Sequence, residues 1–411
     1  MFPSPVSILY RPGTWWTGVR RHGGHLRTGR CEGVDVWRER SAMSLRREFV
    51  ELALREGANR RELARRFEIS PTTGYKWLVR YQAQGPAGLA ERSRRPRHSP
   101  RRTSEALERA VVELRDEHSA WGGRKLRRRL QSLGHAVVPA ASTITQIVRR
   151  SGRALGQLSA PSMPWHRFEA PAPNALWQMD FKGHFALGAG RCHPLTVLDD
   201  HSRFALGLRA CANERAATVE QELRGLFARY GLPERVLTDN GPPWGHSARG
   251  EQYTTLTVWL MRLGIRVLHG RPHHPQTQGK DERFHRSLRA EVLAGRSFAD
   301  LGQVQRHFDR WRTVYNTERP HEALQLACPV SHYQISARAL PPTLPPIEYG
   351  PDDIVRRVQW NGEIYYAGRE FHVGKAFHRL PVALRPRARD GQFDVVFCHQ
   401  RIGRIRLDAP D

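Results

Sequence analysis

The sequence predicts a multidomain α/β protein, with an all-α N-terminal region, a mixed-sheet core and a small C-terminal β-barrel. Three observations carry this. Apolar residues recur at helical spacing through residues 44–152, and a capping residue stands ahead of most runs. Residues 174–335 alternate short apolar runs with helical segments, the pattern of a mixed α/β sheet. Residues 346–408 break into short β-rich runs separated by turn pairs such as Asn361-Gly362 and Asp390-Gly391. With 411 residues the chain has room for three or more domains.

Residues 1–43 are rich in Arg, Gly and Trp and lack an apolar stretch of the secretory kind, so they are expected to be a disordered arm or a misassigned start. Residues 44–90 read as three short helices. Leu45, Phe49, Leu52 and Ala53 line the first, which stops at Gly57. Asn59 caps a second with Leu63 and Phe67 on one face, and Ser70-Pro71 opens a third through Tyr75, Trp77, Leu78 and Tyr81. This is the helix-turn-helix plan, in which the third helix enters the DNA major groove. Thr72, Thr73, Tyr75, Lys76 and Arg80 are then the expected DNA contacts. An ordinary three-helix bundle is the alternative.

Residues 91–102 form a basic linker, either a solvated tether or a strip that follows DNA phosphates. Residues 103–152 repeat the helical theme as a second helix-turn-helix region. A helix capped by Thr103 or Ser104 ends near His118. A basic amphipathic helix over 124–133 presents Arg124, Arg127 and Arg128 to DNA, and a third helix runs over 142–150 to Gly152. Residues 153–173 are a proline-rich linker.

In the core, strands are expected at 177–184, 194–199, 204–209, 235–238 and 266–268. A tight hairpin at Asp199–Arg203 joins the second to the third. Helices are expected at 216–230, 253–263, 278–294 and 298–315. Six short strands follow between residues 354 and 407. That basic β domain either holds DNA or another subunit, or serves as packing.

The formal charge is +26 and the pI about 11.1, which calls for a polyanionic partner. Only five of the 66 basic residues are lysine and the rest are arginine, a bias that a GC-rich genome produces by itself. The arginines nevertheless cluster at 92–102, 124–129 and 283–289. Five scattered cysteines without a Cys-x-x-Cys pair speak against a disulfide framework or a zinc knuckle and fit a reducing cytoplasm. No apolar run reaches the length of a membrane span.

Three acids stand where an ordinary fold would not place them. Asp180 interrupts an apolar strand, Asp239 ends another at a turn signal, and Glu282 lies in the first turn of a basic helix. A carboxylate in a strand centre is costly to bury unless it is paired or binds a metal. Together, three such acids make an oxygen-rich pocket for Mg2+ or Mn2+, and two such ions clamp the attacking and leaving oxygens of a phosphodiester. Singly, each has a plainer reading: an edge-strand aspartate, an Asp-Asn-Gly turn, and a helix N-terminal acid.

The motifs around these acids are specific. They are Trp-Gln-Met-Asp-Phe at 177–181, Leu-Asp-Asp-His-Ser-Arg at 198–203, Thr-Asp-Asn-Gly at 238–241, His-Pro-Gln-Thr-Gln-Gly-Lys-Asp-Glu-Arg at 274–283, and Tyr-Asn-Thr-Glu-Arg-Pro-His at 315–321. Over residues 174–335 the chain resembles the integrase catalytic core, the ribonuclease-H-like fold of retroviral integrases and bacterial insertion-sequence transposases. The helical regions ahead of it look like the end-binding part of those transposases. The resemblance implies a catalytic and metal-binding triad of Asp180, Asp239 and Glu282 holding two Mg2+ or Mn2+ ions. It also implies double-stranded DNA, both element ends and target, as partner, and a homo-oligomer on that DNA. No small-molecule cofactor, membrane or covalent protein–DNA intermediate is implied. Such a protein works in the bacterial cytoplasm at the nucleoid. The spacing from Asp239 to Glu282 exceeds that of the retroviral members, and the extra length falls in residues 242–253.

Asp199 and Asp200 are rival acids, explained by their hairpin. His269, His273 and His274 lack the second half of a zinc site and suit a phosphate or structural contact. Lys280, Arg283, Arg286 and Arg289 recur at helical spacing beside Glu282, either as a cradle for the DNA backbone or as a solvated basic face. Two other functions compete with a strand-transferring enzyme. One is a catalytically silent, transposase-derived DNA-binding regulator, which the intact triad opposes. The other is a nuclease on RNA–DNA hybrids, which the major-groove modules oppose, since A-form duplexes hide that groove.

Overall fold

The computed structural model describes residues 41–92, 102–153, 169–245, 252–270 and 279–407. The expectations for residues 1–40, for most of the basic and proline-rich linkers, for the middle of the 242–253 loop and for the His-Pro-Gln segment lie outside the described residues, whereas Ala42 and Met43, expected in a disordered arm, belong to the first helix. Contacts divide the chain into two units, residues 1–100 and 101–411.

The first unit holds α1 (Ala42–Ala53), α2 (Arg60–Arg66) and α3 (Pro71–Gln84). Each begins on a side-chain cap. The Ser41 hydroxyl accepts from Ser44 N–H, the Asn59 amide oxygen from Glu62 N–H, and the Ser70 hydroxyl from Thr73 N–H. A cap of this kind is worth about 1 kcal/mol. Phe49, Val50, Ala53, Ala64, Trp77, Leu78 and Leu89 form its core. Gly74 lets α3 meet α1, because a Cβ there would lie 2.6 Å from the Phe49 ring.

The second unit opens with α4 (Glu105–Glu117), α5 (Gly123–Ser132) and α6 (Ala141–Arg150), packed around Val111, Trp121, Leu126, Leu130, Ile144 and Val148. The core sheet follows, with β1 (Trp177–Phe181), β3 (Arg191–Asp199), β4 (Ala205–Cys211), β5 (Arg235–Thr238) and β6 (Arg266–His269). Its order is β4-β3-β1-β5-β6, and a two-residue strand β2 (Phe185–Ala186) pairs with the start of β3. The first three long strands are antiparallel, while β1–β5 and β5–β6 are parallel. Alternation along the strands feeds two cores. Trp177, Met179, Leu195 and Val197 face α7 (Ala216–Tyr230) and α8 (Thr255–Arg262). Leu198, Ala205 and Leu208 face α9 (Gly279–Leu288) and α10 (Leu301–Thr317). An acid at position 180 therefore sits on the α9 side of β1.

Two expectations are corrected here. The helix expected over 278–294 ends at Leu288 and continues as a π-helical turn, Arg289–Leu293. That turn carries Glu291 inward, where it accepts from Trp311 Nε1 and Arg319 Nε. The expected C-terminal barrel is open among the described residues. β7 (Ile354–Arg357), β10 (Pro381–Pro386), β11 (Gln392–Phe397) and β12 (Gln400–Arg406) form a four-stranded antiparallel sheet in the order β12-β11-β10-β7. β8 (Glu363–Tyr366) and β9 (Arg369–His372) pair only with each other. The ring has no need to close, because Ile364, Phe377, Val382, Leu384 and Phe397 share one core with α7 and α8. The turns expected at Gly362 and Gly391 are present, both at positive φ. Among the described residues no helix is long and apolar enough to cross a membrane.

Candidate active site

Asp180 comes from β1, and Asp239 follows directly on β5. The parallel register pairs Trp177 with Val236 and Gln178 with Leu237. Two residues further on, Asp180 stands abreast of Asp239 at the carboxyl ends of neighbouring parallel strands, where open α/β sheets gather ligands. The Asp239 carboxylate accepts from Gly241 N–H, and its Oδ1 is buried without a hydrogen-bond partner. Burial raises its pKa, and Glu214 adds to the rise. For Asp180, burial and then the Asp239 charge push the carboxyl up to about 7, with smaller contributions from Glu214 and Glu282. Glu282 is exposed on the first turn of α9. The triad thus shares one electrostatic neighbourhood. Among the described residues, no group of three His, Cys, Asp or Glu side chains is set to hold a metal ion.

Around Asp180 lie groups that the motifs did not single out. The Thr196 hydroxyl donates to the Asp180 carbonyl at 2.9 Å, so it accepts from His285 Nε2, also at 2.9 Å. Nδ1 of that ring stands 3.9 Å from Asp180 Oδ2. Burial, helped by the Lys182 charge, brings His285 down to about 4, so the ring is neutral at pH 7 and the contact is not an ion pair. Asp281, next to Glu282, is buried on the inner face of α9. Helical spacing signals this: residues 281, 284, 285 and 288 share a face, and Phe284 and Leu288 are core.

Asp199 and Asp200 are saturated by protein donors. Asp199 accepts from Asn174 N–H and from both Ser202 N–H and its hydroxyl. Asp200 accepts from Ala170 N–H, Gln178 Nε2 and Lys280 Nζ, the last at 2.5 Å. Lys280 accordingly does not join Arg283, Arg286 and Arg289 on the exposed face of its helix, where it was expected to meet DNA. The Asp200 carboxylate draws it inward. His269 holds the Asp239 carbonyl through Nδ1 at 3.1 Å, a structural contact, and burial lowers its pKa. His273 and His274 lie outside the described residues.

Five family profiles tile the chain. Residues 45–97 match a Helix-turn-helix domain and residues 73–148 a Homeodomain-like domain. Residues 170–275 and 263–329 match two Integrase core domain families, which between them cover Asp180, Asp239 and Glu282. Residues 353–410 match the C-terminal domain of IS481 family transposases. Together these matches mark the chain as a transposase with an integrase core and helix-turn-helix domains. Among its relatives is an uncharacterized protein of insertion element IS476 from Xanthomonas euvesicatoria, 29% identical over 58% of this chain and 67% of the relative. Another is an uncharacterized protein of insertion element IS407 from Burkholderia multivorans, 26% identical over 56% of this chain and 81% of the relative. The Gag-Pro-Pol polyprotein of mouse mammary tumor virus is 32% identical over 29% of this chain and 6% of its own length. The integrase core places the transposase in the polynucleotidyl transferase superfamily.

The expected DNA contacts of the transposase divide by exposure. Thr72, Tyr75 and Lys76 are exposed on α3, and Thr73 and Arg80 are half-buried. Arg46, Lys76 and Arg80 all stack over the Trp77 ring, with Arg80 5.2 Å from its centroid. Arg124, Arg127 and Arg128 are exposed on α5, although Arg127 Nε also donates to the Pro139 carbonyl.

Proposed function

We propose that this transposase binds the ends of its element through residues 44–90 and 103–152, cuts a DNA strand there, and joins the freed 3′-hydroxyl to target DNA. Asp180, Asp239 and Glu282 hold two Mg2+ or Mn2+ ions in this reading. The observation that carries it is the β1–β5 register, which sets Asp180 abreast of Asp239 beside the helix that bears Glu282. The donor set fits a hard dication. Asp239 offers a buried oxygen without a partner, and Asp180 is crowded by carboxylates whose repulsion a cation relieves. Integrase cores in general use divalent metal. When bound, such ions activate the attacking water or 3′-hydroxyl and offset charge on the leaving oxygen.

The chain's own residues position this chemistry. Gly241 N–H fixes the Asp239 carboxylate. Thr196 holds the Asp180 backbone, and His285 limits the swing of its side chain. Arg283, Arg286 and Arg289 present an exposed cationic face to DNA phosphates. The nucleophile is water or a DNA hydroxyl, so no side chain needs to bond to DNA. Because two ends are joined in one event, the working form is a homo-oligomer on DNA.

The test is strand transfer on duplexes carrying the inverted repeats that flank the gene. Asp180→Asn, Asp239→Asn and Glu282→Gln should each bind the ends like the parent and lose cleavage and joining with either Mg2+ or Mn2+. Full activity in Asp180→Asn would overturn the site. A parent that binds ends yet never cleaves would make the protein a DNA-binding regulator.

A further inference from the structure

Asp281 is 1% exposed, and neither of its carboxylate oxygens has a hydrogen-bond partner. The ordinary remedies for a buried acid are absent. Lys280, its chain neighbour, is committed to Asp200 through both the carboxylate and the backbone carbonyl. The helix N-terminus favours an acid far less than desolvation of a carboxylate costs. The carboxylates of Asp180 and Asp200 are close enough to repel it. Protonation would remove the charge and still leave an O–H without an acceptor.

Position supplies the remedy. Asp281 precedes His285 by one helical turn, and His285 reaches both Thr196 and the Asp180 carboxylate. Side chains four apart lie on one face of a helix, and each leans towards its N-terminus. Asp281 therefore faces the Asp180 end of the sheet, while Glu282 is exposed. We propose that Asp281 is a further ligand of the divalent cation, supplied from the buried face of α9 beside Asp180. This rests on the reading of Asp180 as a cation ligand. It assigns α9 two acidic ligands on adjacent residues, one from the core and one from solvent.

The experiment measures Mn2+ alone against the full chain, by titration calorimetry and by thermal unfolding with EDTA or with Mn2+. Asp281→Leu should unfold at higher temperature than the parent in EDTA, because a buried carboxyl without a partner is gone, and Asp281→Asn, which keeps a buried polar group, should gain less. Both should lose most of the Mn2+-induced rise in unfolding temperature and bind Mn2+ at least about tenfold more weakly, the loss seen when a metal site's supporting groups are removed. If both variants fold and keep the parent's Mn2+ affinity, Asp281 is only a buried acid and the inference is wrong. Asp180→Asn separates the two readings. If it loses Mn2+ while the Asp281 variants keep it, only this inference fails. If it also keeps Mn2+, the site itself has been misread.

Discussion

One step along α9 separates a carboxylate sealed in the core from one in solvent, since successive residues turn by about 100° around a helix. The same economy of single positions governs the buried histidines. His321 packs edge-on against Tyr315 at 4.6 Å. Burial, with Arg319 and Lys125 close by, drives it from an ordinary 6.5 down to about 2. The folded protein refuses a proton that the unfolded chain takes up, so this ring contributes stability that is whole above pH 6.5. That contribution drains as the pH falls towards the folded value. Between pH 7.5 and pH 5 the loss from His321 should be about 2 kcal/mol. Denaturant unfolding across that range should show a shallower pH slope in His321→Gln. His118, His269, His285 and His399, also lowered by burial, add to the slope that remains, and Asp180, raised to about 7, opposes it. An unchanged slope in the variant would mean that the ring is not held neutral. At this scale the three proposed ligands stand out in the sequence through their motifs, because each acid breaks a local pattern. The partners of those acids, Thr196 and His285, were not legible, since a threonine in a strand and a histidine in a helix break none.

Among the elements, α7 and β5 have the bounds that the sequence predicts. A helical apolar stripe runs from Val219 to Tyr230 and stops at Gly231, which is at positive φ, and Asp239 closes the short β-branched run after it. The π turn after α9 is of another kind. Nothing local asks for it; Glu291 is turned inward by Arg319 and Trp311, which lie 28 and 20 residues further along the chain. The open C-terminal sheet was hidden for the same reason, since its core is completed by α7 and α8. The π turn can be tested as a unit. Glu291 and Arg319 are both nearly buried, with side chains 8% and 9% exposed. Glu291→Ala leaves the guanidinium without its carboxylate and the Trp311 N–H without an acceptor. Removing one partner of a buried ion pair costs about 3–5 kcal/mol. Urea unfolding of Glu291→Ala should show a loss of that order, and Glu291→Gln, which keeps an acceptor for Trp311, a smaller one. A loss below about 1 kcal/mol would place the pair in the class of surface ion pairs and leave the turn unexplained.

For the whole molecule the open question is how much of the +26 charge meets DNA. An arginine-rich composition arises from nucleotide bias as readily as from selection, and net charge alone does not tell them apart. Placement does. Arg124, Arg127 and Arg128 are exposed on α5, and Arg283, Arg286 and Arg289 on or just after α9, whereas Lys280, Arg129 and Arg319 are spent on Asp200, Glu318 and Glu291. Of these, the first two groups are free to displace counterions from a duplex. Each phosphate so neutralised steepens the fall of log affinity with log salt by about 0.9. Changing Arg124, Arg127 and Arg128 together to Gln should therefore make that slope shallower by about 2 to 3, and so should the same change at Arg283, Arg286 and Arg289. The measurement is anisotropy of a labelled element-end duplex across roughly 50 to 200 mM salt. A helix that only decorates the surface leaves the slope where it was. If both triple variants do that, the clusters record genome composition and the DNA path runs elsewhere on the protein. If one alone changes it, that helix carries the backbone contacts and the other is a solvated face.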